Sequence, residues 1–223
     1  MKGTCEDIER LIRRFVWGTN EGTLSIHLIS WDTAKQPIES GGLGFKNPHQ
    51  QNRAFLMKIG FQLVTYIEAL WVRVLKAKYR WGHRLPILIK RPSCSRLWTR
   101  LNNFWDEICD SANWNIGNGS QTSFWFDNWL GRNGRLAFNC LVDTMSPYAM
   151  VSDMTTASGE WDWPRLNPLL PTAILDQIDV VPPPQNRYNF DTLGWRWCDT
   201  RVFSTRSAYA YLLDTEGLPN DVV

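Results

Sequence analysis

Residues 114–130, with the sequence WNIGNGSQTSFWFDNWL, constrain the fold of this chain more than any other stretch. Trp114 and Ile116 alternate across Asn115 before Gly117–Gly119, and Phe124 and Phe126 alternate across Trp125 after it, which predicts a β-hairpin with a bulged or slightly long turn. A large ring buries ~150–250 Å² when it is covered. We therefore expect a hydrophobic plug, not a ligand platform, with four rings that fix the hairpin to neighbouring helices. These rings are Trp114, Phe124, Trp125 and Trp129.

Helical periodicity dominates the first half of the chain. Apolar residues recur at helical spacing over 8–16 and again over 52–79, and the β-branched and aromatic cluster 64–67 predicts a break that divides the second stretch into two helices. A further helix is predicted over 97–108, and a short one that begins at or after Pro171. The chain is thus expected to be mostly helical before its Trp-rich segment.

These patterns predict an α+β fold that is predominantly helical, with N-terminal helices packed with Trp-rich β-hairpins. A second hairpin is expected to turn at Asp199–Thr200, and Pro182–Pro184 to form a stiff linker. A helix that begins at Ser207 is expected to fade within a few residues. The expected regions are a helical, basic connector (1–110), a Trp-rich hairpin and short-helix region (111–181), and a Pro linker with the truncated start of a zinc-binding-domain-like region (182–223).

Composition describes an ordinary globular chain. Apolar residues make up 43% and charged residues 21% of the 223 positions, and tryptophan, with 13 copies, is the outlier. No apolar run approaches the ~20 residues that cross a bilayer. The N-terminus, MKGTCEDIERLIRR, is charged throughout and lacks a signal-peptide core. An intracellular protein without membrane contact is expected.

The cysteines and histidines do not form a metal-ligand pattern. Five cysteines (5, 94, 109, 140 and 198) and three histidines (27, 49 and 83) are widely and irregularly spaced, whereas a tetrahedral zinc site needs closely spaced ligand pairs. Free, mostly buried thiols in a reducing compartment are expected. The glycines at 41, 42 and 44 lack the Gly-Lys-Ser/Thr ending of a phosphate loop. No metal and no cofactor are therefore predicted.

Charge is distributed unevenly along the chain. Residues 1–51 are neutral, residues 52–100 carry a net charge of +10, and residues 101–223 carry −8. The acidic side chain of the middle block is Glu68, and its basic side chains are the candidate nucleic-acid contacts: Arg53, Lys58, Arg73, Lys76, Lys78, Arg80, Arg84, Lys90, Arg91, Arg96 and Arg100. Helical spacing places Arg73, Lys76 and Arg80 on one face. A face with so few acids favours a polyanion contact over a merely solvated surface.

The order of several short motifs resembles plant LINE-type non-LTR retrotransposon reverse transcriptase polyproteins, which are often named as ribonuclease H proteins. The motifs are FVWGT, ISWDTAKQPIESGGLGFKNPHQQNRAFLMKIGFQLV, LWVRVLKAKY, the Trp-rich segment, WDWPRL and FSTRSAY. The resemblance runs from about Ile8 to Leu212 and implies the segment between the polymerase thumb and the zinc-binding domain. It also implies that helix 8–16 is the tail of the thumb, and it suggests a nuclear location.

The resemblance implies that the catalytic parts of such polyproteins lie outside this chain. The family's polymerase holds two metals with adjacent aspartates, and this sequence contains no Asp-Asp pair. Its zinc ligands follow the Phe-Ser-x-x-Ser-Ala-Tyr motif, present here at Phe203–Tyr209, and its ribonuclease H carboxylates lie further downstream. The expected partners are therefore RNA or DNA and the remainder of a reverse transcriptase polyprotein.

Three kinds of function remain to be compared. The first is a non-catalytic contact with RNA or DNA through the basic block. Exposed Trp71, Tyr79 or Trp81 rings could stack on bases there, although burial in the core is the more common place for each such ring. The second is a Trp-rich module that binds carbohydrate or protein. The third is an enzyme, which is disfavoured because Asp106, Asp110, Asp127 and Asp162 are each expected to have a plain surface or cap role. Asp106 and Asp110 share a helix face, but this pair has no accompanying histidine or third carboxylate.

Overall fold

The computed structural model describes most of the chain. The described residues are 2–18, 28–36, 38, 41–81, 85–86, 88–131, 134–141, 146, 148–185 and 189–215. They fall into two compact units. Unit 1 comprises Met1–Lys58 with Ser204–Val223, and unit 2 comprises Ile59–Phe203. The division into 1–110, 111–181 and 182–223 stays a prediction.

The fold class is α+β and mostly helical, as predicted. The α-helices are α1 Lys2–Trp17, α2 Trp31–Ala34, α3 Pro48–Thr65, α4 Leu70–Tyr79, α5 Arg96–Asn103, α6 Trp105–Ser111, α7 Trp163–Leu166, α8 Thr172–Val180 and α9 Thr205–Thr215. The strands are β1 Ala112–Asn115 and β2 Thr192–Trp195, and short 3₁₀ helices occupy Leu136–Asn139 and Val151–Met154.

Most predicted helices are present, and their boundaries differ for local reasons. The break after residue 65 is confirmed, because α3 and α4 differ in direction by 86°. The predicted helix 97–108 is interrupted at Phe104, whose backbone (φ −115°, ψ 8°) leaves the helical region. α1 is longer than the apolar stripe that predicted it. α9 continues to Thr215 and does not fade early.

Unit 1 is organised around Trp31. Its indole Nε1 donates to Glu9 Oε1 of α1 at 2.6 Å, and its ring stacks on Phe45 with centroids 5.7 Å apart. Tyr209 of α9 accepts a hydrogen bond at its hydroxyl from the Asn47 backbone N–H, 2.9 Å away. These contacts join α1, α2, α9 and the segment that leads into α3.

The small sheet in unit 2 connects distant parts of the chain. β1 pairs antiparallel with β2, so that Ala112 lies opposite Trp195 and Trp114 opposite Leu193. The predicted hairpin around Gly117–Gly119 is therefore wrong, since its first strand pairs with residues nearly eighty positions later. The second predicted hairpin is also wrong. The chain does reverse after Trp195, whose N–H donates to Arg201 O at 2.7 Å, but residues 201–204 form no strand.

The predicted burial of the Trp-rich rings is confirmed. Trp114, Phe124, Trp125 and Trp129 are all buried in unit 2, although they pack around a loop and not around a hairpin. Trp129 Nε1 donates to Phe124 O at 2.9 Å, which satisfies the one polar atom of its ring. The buried residues that complete this core are Leu130, Leu136, Ala149, Val151, Met154, Trp161, Leu166, Leu170, Ile174 and Ile178.

The cysteines are all free. Cys5 and Cys109 are buried, and Cys94, Cys140 and Cys198 are half-buried. Burial raises the pKa of the Cys109 thiol to about 12, so this group is protonated and unreactive at neutral pH.

Within the described residues, no single helix is long and apolar enough to cross a membrane. The bent pair α3 and α4 would meet the requirement in length and composition alone.

Candidate nucleic-acid interface

Three hydrogen bonds bring separate parts of the basic block together at the C-terminal end of α4. Arg91 Nε donates to Tyr79 O at 3.2 Å, and the Ser95 N–H donates to the Tyr79 hydroxyl at 3.1 Å. Trp98 Nε1 donates to Ile89 O at 2.7 Å. The end of α4, the segment 88–91 and the start of α5 therefore meet at one place.

Five of the predicted nucleic-acid contacts lie at this meeting point, and we call this set of five residues the basic junction. Its side chains are Lys78, Arg80, Lys90, Arg91 and Arg96, and all five residues are exposed. In the described part of the chain, none of the five lies in an ion pair with a carboxylate. Their charges are thus available to an anionic partner.

The backbone conformation of Arg80 explains why its own side chain is exposed at the end of α4 while the ring of Trp81 is buried. Arg80 adopts the left-handed conformation (φ 51°) and ends the helix, and the Trp81 N–H then donates to Lys76 O at 2.8 Å. This reversal directs Trp81 into the core, where it packs edge-on against Trp98 and Trp105, while Arg80 stays exposed.

A cleft of about 900 Å³ opens beside the basic junction. Arg80 and Arg91 line it, together with the polar residues Thr65, Ser120 and Gln121. Its walls also include Ile67, Leu88, Trp114 and the carboxylate residue Asp191. The cleft therefore combines two guanidinium groups with apolar walls. Its volume lies within the ~300–1,000 Å³ that ligand sites occupy.

Arg73 and Lys76 lie in a second, smaller groove of about 240 Å³, which Ile67, Glu68 and Trp81 also line. The Lys76 ammonium lies 5.7 Å from the centroid of the Trp81 ring. Burial lowers the pKa of Lys76 from its usual value, because the charged form loses hydration there.

The other predicted contacts lie elsewhere or outside the described residues. Arg53 and Lys58 belong to the first part of α3 in unit 1, where Arg53 Nη1 donates to Gln50 Oε1 at 3.3 Å. Arg100 is half-buried on α5. Arg84 lies outside the described residues. The contact role of all eleven side chains stays a prediction.

Two of the three rings proposed for base stacking are unavailable. Tyr79 is buried and stacks on Trp98 with centroids 3.8 Å apart, and Trp81 is buried as described above. The alternative that these rings belong to the core is confirmed for both, because they fill the core beneath the basic junction. Trp71 keeps 39% of its surface exposed.

The Gly-Asn-Gly turn surrounds a buried carboxylate. Asp191 Oδ1 accepts hydrogen bonds from the N–H groups of Gly117 and Gly119, each at 2.8 Å. Asp191 Oδ2 accepts from the N–H groups of Gln121 at 2.9 Å and Thr122 at 3.1 Å, and from the Thr122 hydroxyl at 2.9 Å. The turn is thus an anion-binding nest that the chain fills with its own side chain.

Sequence reasoning missed Asp191. Only the two glycines of the turn signalled a special backbone, and they pointed to a hairpin. The neighbouring backbone requires glycine at position 117, since a Cβ atom there would lie 2.0 Å from Asn189 O.

Three of the four acidic residues considered for catalysis have structural contacts. Asp110 forms an ion pair with Arg135 at 3.2 Å, and Asp127 Oδ2 accepts from the Ser123 N–H at 2.7 Å. The Asp162 side chain caps α7, and Asp106 lies in the first turn of α6. Among the residues that the structure describes, no three His, Cys, Asp or Glu side chains form a group able to hold a metal ion.

Comparisons with known proteins identify plant relatives. The chain is 28% identical to a protein named putative ribonuclease H protein from Arabidopsis thaliana, over 96% of this chain and 35% of that protein. It is 26% identical to an uncharacterized mitochondrial protein from the same plant, over 56% of this chain and 82% of that protein. No family model matches, and no solved structure matches.

These relatives support the resemblance at the level of a retroelement-related family. The chain spans about a third of the length of the first relative, so the activity of that whole protein does not transfer to it directly. The placement between thumb and zinc-binding domain stays a prediction.

Proposed function

We propose that this chain is a non-catalytic nucleic-acid-contacting segment of a LINE-type RNA-directed DNA polymerase, and that the basic junction makes the contact. The observation that carries the proposal is the meeting of three chain segments that carry exposed Lys78, Arg80, Lys90, Arg91 and Arg96, which have no described acidic partners. Phosphates bound there would release condensed counterions, the main source of affinity in such contacts.

The cleft beside the junction extends this surface. Arg80 can offer a planar set of N–H donors to phosphate oxygens, which suits bidentate binding. Arg91 already donates from Nε to Tyr79 O and from Nη1 to Lys90 O, so it adds its charge and its remaining N–H groups. Asp191 also lines the cleft, but five hydrogen bonds within unit 2 already engage its carboxylate. Its negative charge is therefore directed into the nest.

Binding of RNA across a salt series tests the proposal. If the five cations each neutralise one phosphate, the logarithm of the association constant should fall with the logarithm of salt concentration at a slope of about −3.5. Fluorescence anisotropy with a labelled single strand measures this slope. A salt-independent affinity would remove the electrostatic basis of the proposal.

A charge-removal pair locates the contact. Lys90→Gln with Arg96→Gln should reduce the magnitude of the slope by about 1.4, because two phosphate contacts are lost. These side chains make no described hydrogen bonds, so the fold should be kept. The matched control is Arg14→Gln with Arg206→Gln, which removes two exposed charges in unit 1 and should leave the slope unchanged. Equal effects of the two pairs would contradict the assignment to the junction.

The competing Trp-rich module has less support. A carbohydrate platform needs exposed rings, and Trp114, Phe124, Trp125 and Trp129 are buried. Titration of the tryptophan fluorescence with polysaccharide and separately with RNA distinguishes the two functions. A response to polysaccharide alone would favour the module.

The absence of catalysis is part of the proposal. The structural contacts of Asp110, Asp127 and Asp162 support it, since each of these carboxylates accepts a hydrogen bond or forms an ion pair within the fold. Incubation with labelled RNA and magnesium should yield no cleavage and no primer extension. Activity that Asp106→Asn abolishes would contradict this part of the proposal. The same proposal gives the chain a nuclear location and the rest of the polyprotein as a partner.

A further inference from the structure

We propose that the corner between α3 and α4 is a stacking platform for unpaired bases, which makes the chain prefer single-stranded nucleic acid over duplex. This inference rests on the proposed nucleic-acid contact. The corner presents five large, exposed side chains within nine residues: Tyr66, Ile67, Leu70, Trp71 and Val74. We call this set the aromatic corner.

Backbone hydrogen bonds fix the aromatic corner. The Ala69 N–H donates to Tyr66 O at 3.0 Å, and the Arg73 N–H donates to Ala69 O at 3.0 Å. The first bond closes the turn between the helices and the second starts α4. Tyr66 therefore lies just past the end of α3, and Trp71 lies in the first turn of α4.

Both rings remain accessible at this corner. Tyr66 is 56% exposed and Trp71 is 39% exposed, and neither ring packs against another aromatic ring of the described chain. The contrast is with Tyr79 at the other end of α4, whose ring is stacked and buried. Exposed apolar groups gathered in one place are typical of an interaction surface.

Cations flank the aromatic corner on two sides. Ile67 lines the large cleft that holds Arg80 and Arg91, and it also lines the smaller groove that holds Arg73 and Lys76. Ile67 of the corner thus borders both pairs of basic residues, and Tyr66 and Trp71 lie one and four positions from it in sequence, with Glu68 as the acidic side chain of the smaller groove.

This order of charge, ring and charge matches a single strand. Its phosphates can contact basic side chains while its unpaired bases stack on the rings, and such stacking tolerates any sequence because every base has an aromatic face. A duplex offers phosphates to the same cations but keeps its base faces covered. The rings should therefore add affinity for single strands alone.

The experiment compares both forms of nucleic acid with ring-removal variants. Anisotropy is measured for a labelled oligonucleotide of about 15 nucleotides, alone and annealed to its complement, with wild type, Tyr66→Leu and Trp71→Leu. Each variant should bind the single strand about tenfold more weakly. Duplex affinity should stay within about twofold, and the salt slope should not change, because no phosphate contact is lost.

Leu70→Ala serves as the matched control, since it removes exposed apolar area from the same corner without removing a ring. It should leave single-strand affinity unchanged. A loss with Leu70→Ala equal to that with Trp71→Leu would show that affinity depends on apolar area and not on ring stacking, and would overturn the platform. Equal losses for single strand and duplex, or no loss with either ring variant, would also overturn it. Failure of wild type to bind any nucleic acid would overturn the proposed function itself.

Discussion

Asp191 and Gly119 are joined by a 2.8 Å hydrogen bond from the glycine N–H to the carboxylate Oδ1, although 72 positions separate them in sequence. Asp191 is 5% exposed, so its charge is stabilised mainly by the N–H and hydroxyl groups around it. This relationship identifies the role of the Gly-Asn-Gly turn, which binds a part of its own chain.

Replacement of Asp191 should destabilise unit 2 strongly. In Asp191→Asn one carboxylate oxygen becomes an amide NH₂ that faces N–H donors, so the free energy of unfolding should fall by about 3 kcal/mol. Urea denaturation followed by tryptophan fluorescence measures the change. Asp176→Asn, at an exposed position of α8, is the matched control and should change the stability little. A loss below about 0.5 kcal/mol in Asp191→Asn would contradict this role.

Gly117→Ala should also destabilise the nest, for a steric reason. The added Cβ would lie 2.0 Å from Asn189 O, a backbone atom that cannot move without the rest of its segment. We expect a loss of about 3 kcal/mol, at the upper end for an overpacked site. Thermal unfolding by circular dichroism measures it. Gly3→Ala, where nothing lies within 4 Å, is the comparison and should be neutral or slightly stabilising.

Trp125→Ala should lower stability by about 3–5 kcal/mol, because it removes a buried large ring from the core. RNA affinity, measured at a temperature where the variant is folded, should change little. Phe138→Ala removes a ring that is mostly exposed and should cost far less. A large loss of RNA affinity with a small loss of stability in Trp125→Ala would reverse the structural interpretation of the Trp-rich segment.

Acid should weaken unit 1 through Glu9. Burial opposes ionisation of this carboxyl, but hydrogen bonds from Arg13 and Trp31 and the charge of Lys35 outweigh it, so its pKa lies below the usual 4.5. Its stabilising contribution is therefore complete above pH 4.5 and is lost as the pH falls through the lowered pKa. Glu9→Gln should be less stable than wild type at pH 7, and the difference should shrink below pH 4.5. Melting temperatures of both proteins across this range measure the effect, and a constant difference would contradict it.

The features that the sequence predicted correctly are those that depend on residues close together in the chain. Apolar spacing located α3, α4 and α8, because a helix satisfies its hydrogen bonds within a few residues. The many aromatic residues of the segment predicted the burial of Trp125, because such a large apolar side chain is usually buried.

The remaining features depend on contacts between distant residues. Alternating polarity at 114–116 correctly indicated extended backbone, but it carried no information on the partner strand, which lies at Thr192–Trp195. The basic junction was predicted only as a set of charges. Its grouping depends on bonds such as that from Arg91 Nε to Tyr79 O, which no spacing rule contains.

The nest around Asp191 depends on two distant parts of the chain, so truncation of the protein can separate them. A fragment that stops before Asp191 would keep the N–H groups of Gly117, Gly119, Gln121 and Thr122 but lose the carboxylate that they surround. Small oxyanions such as sulfate in the buffer are the natural substitutes, since convergent N–H groups bind them. In such a fragment, the turn that binds Asp191 in the full chain would instead bind an anion from solution.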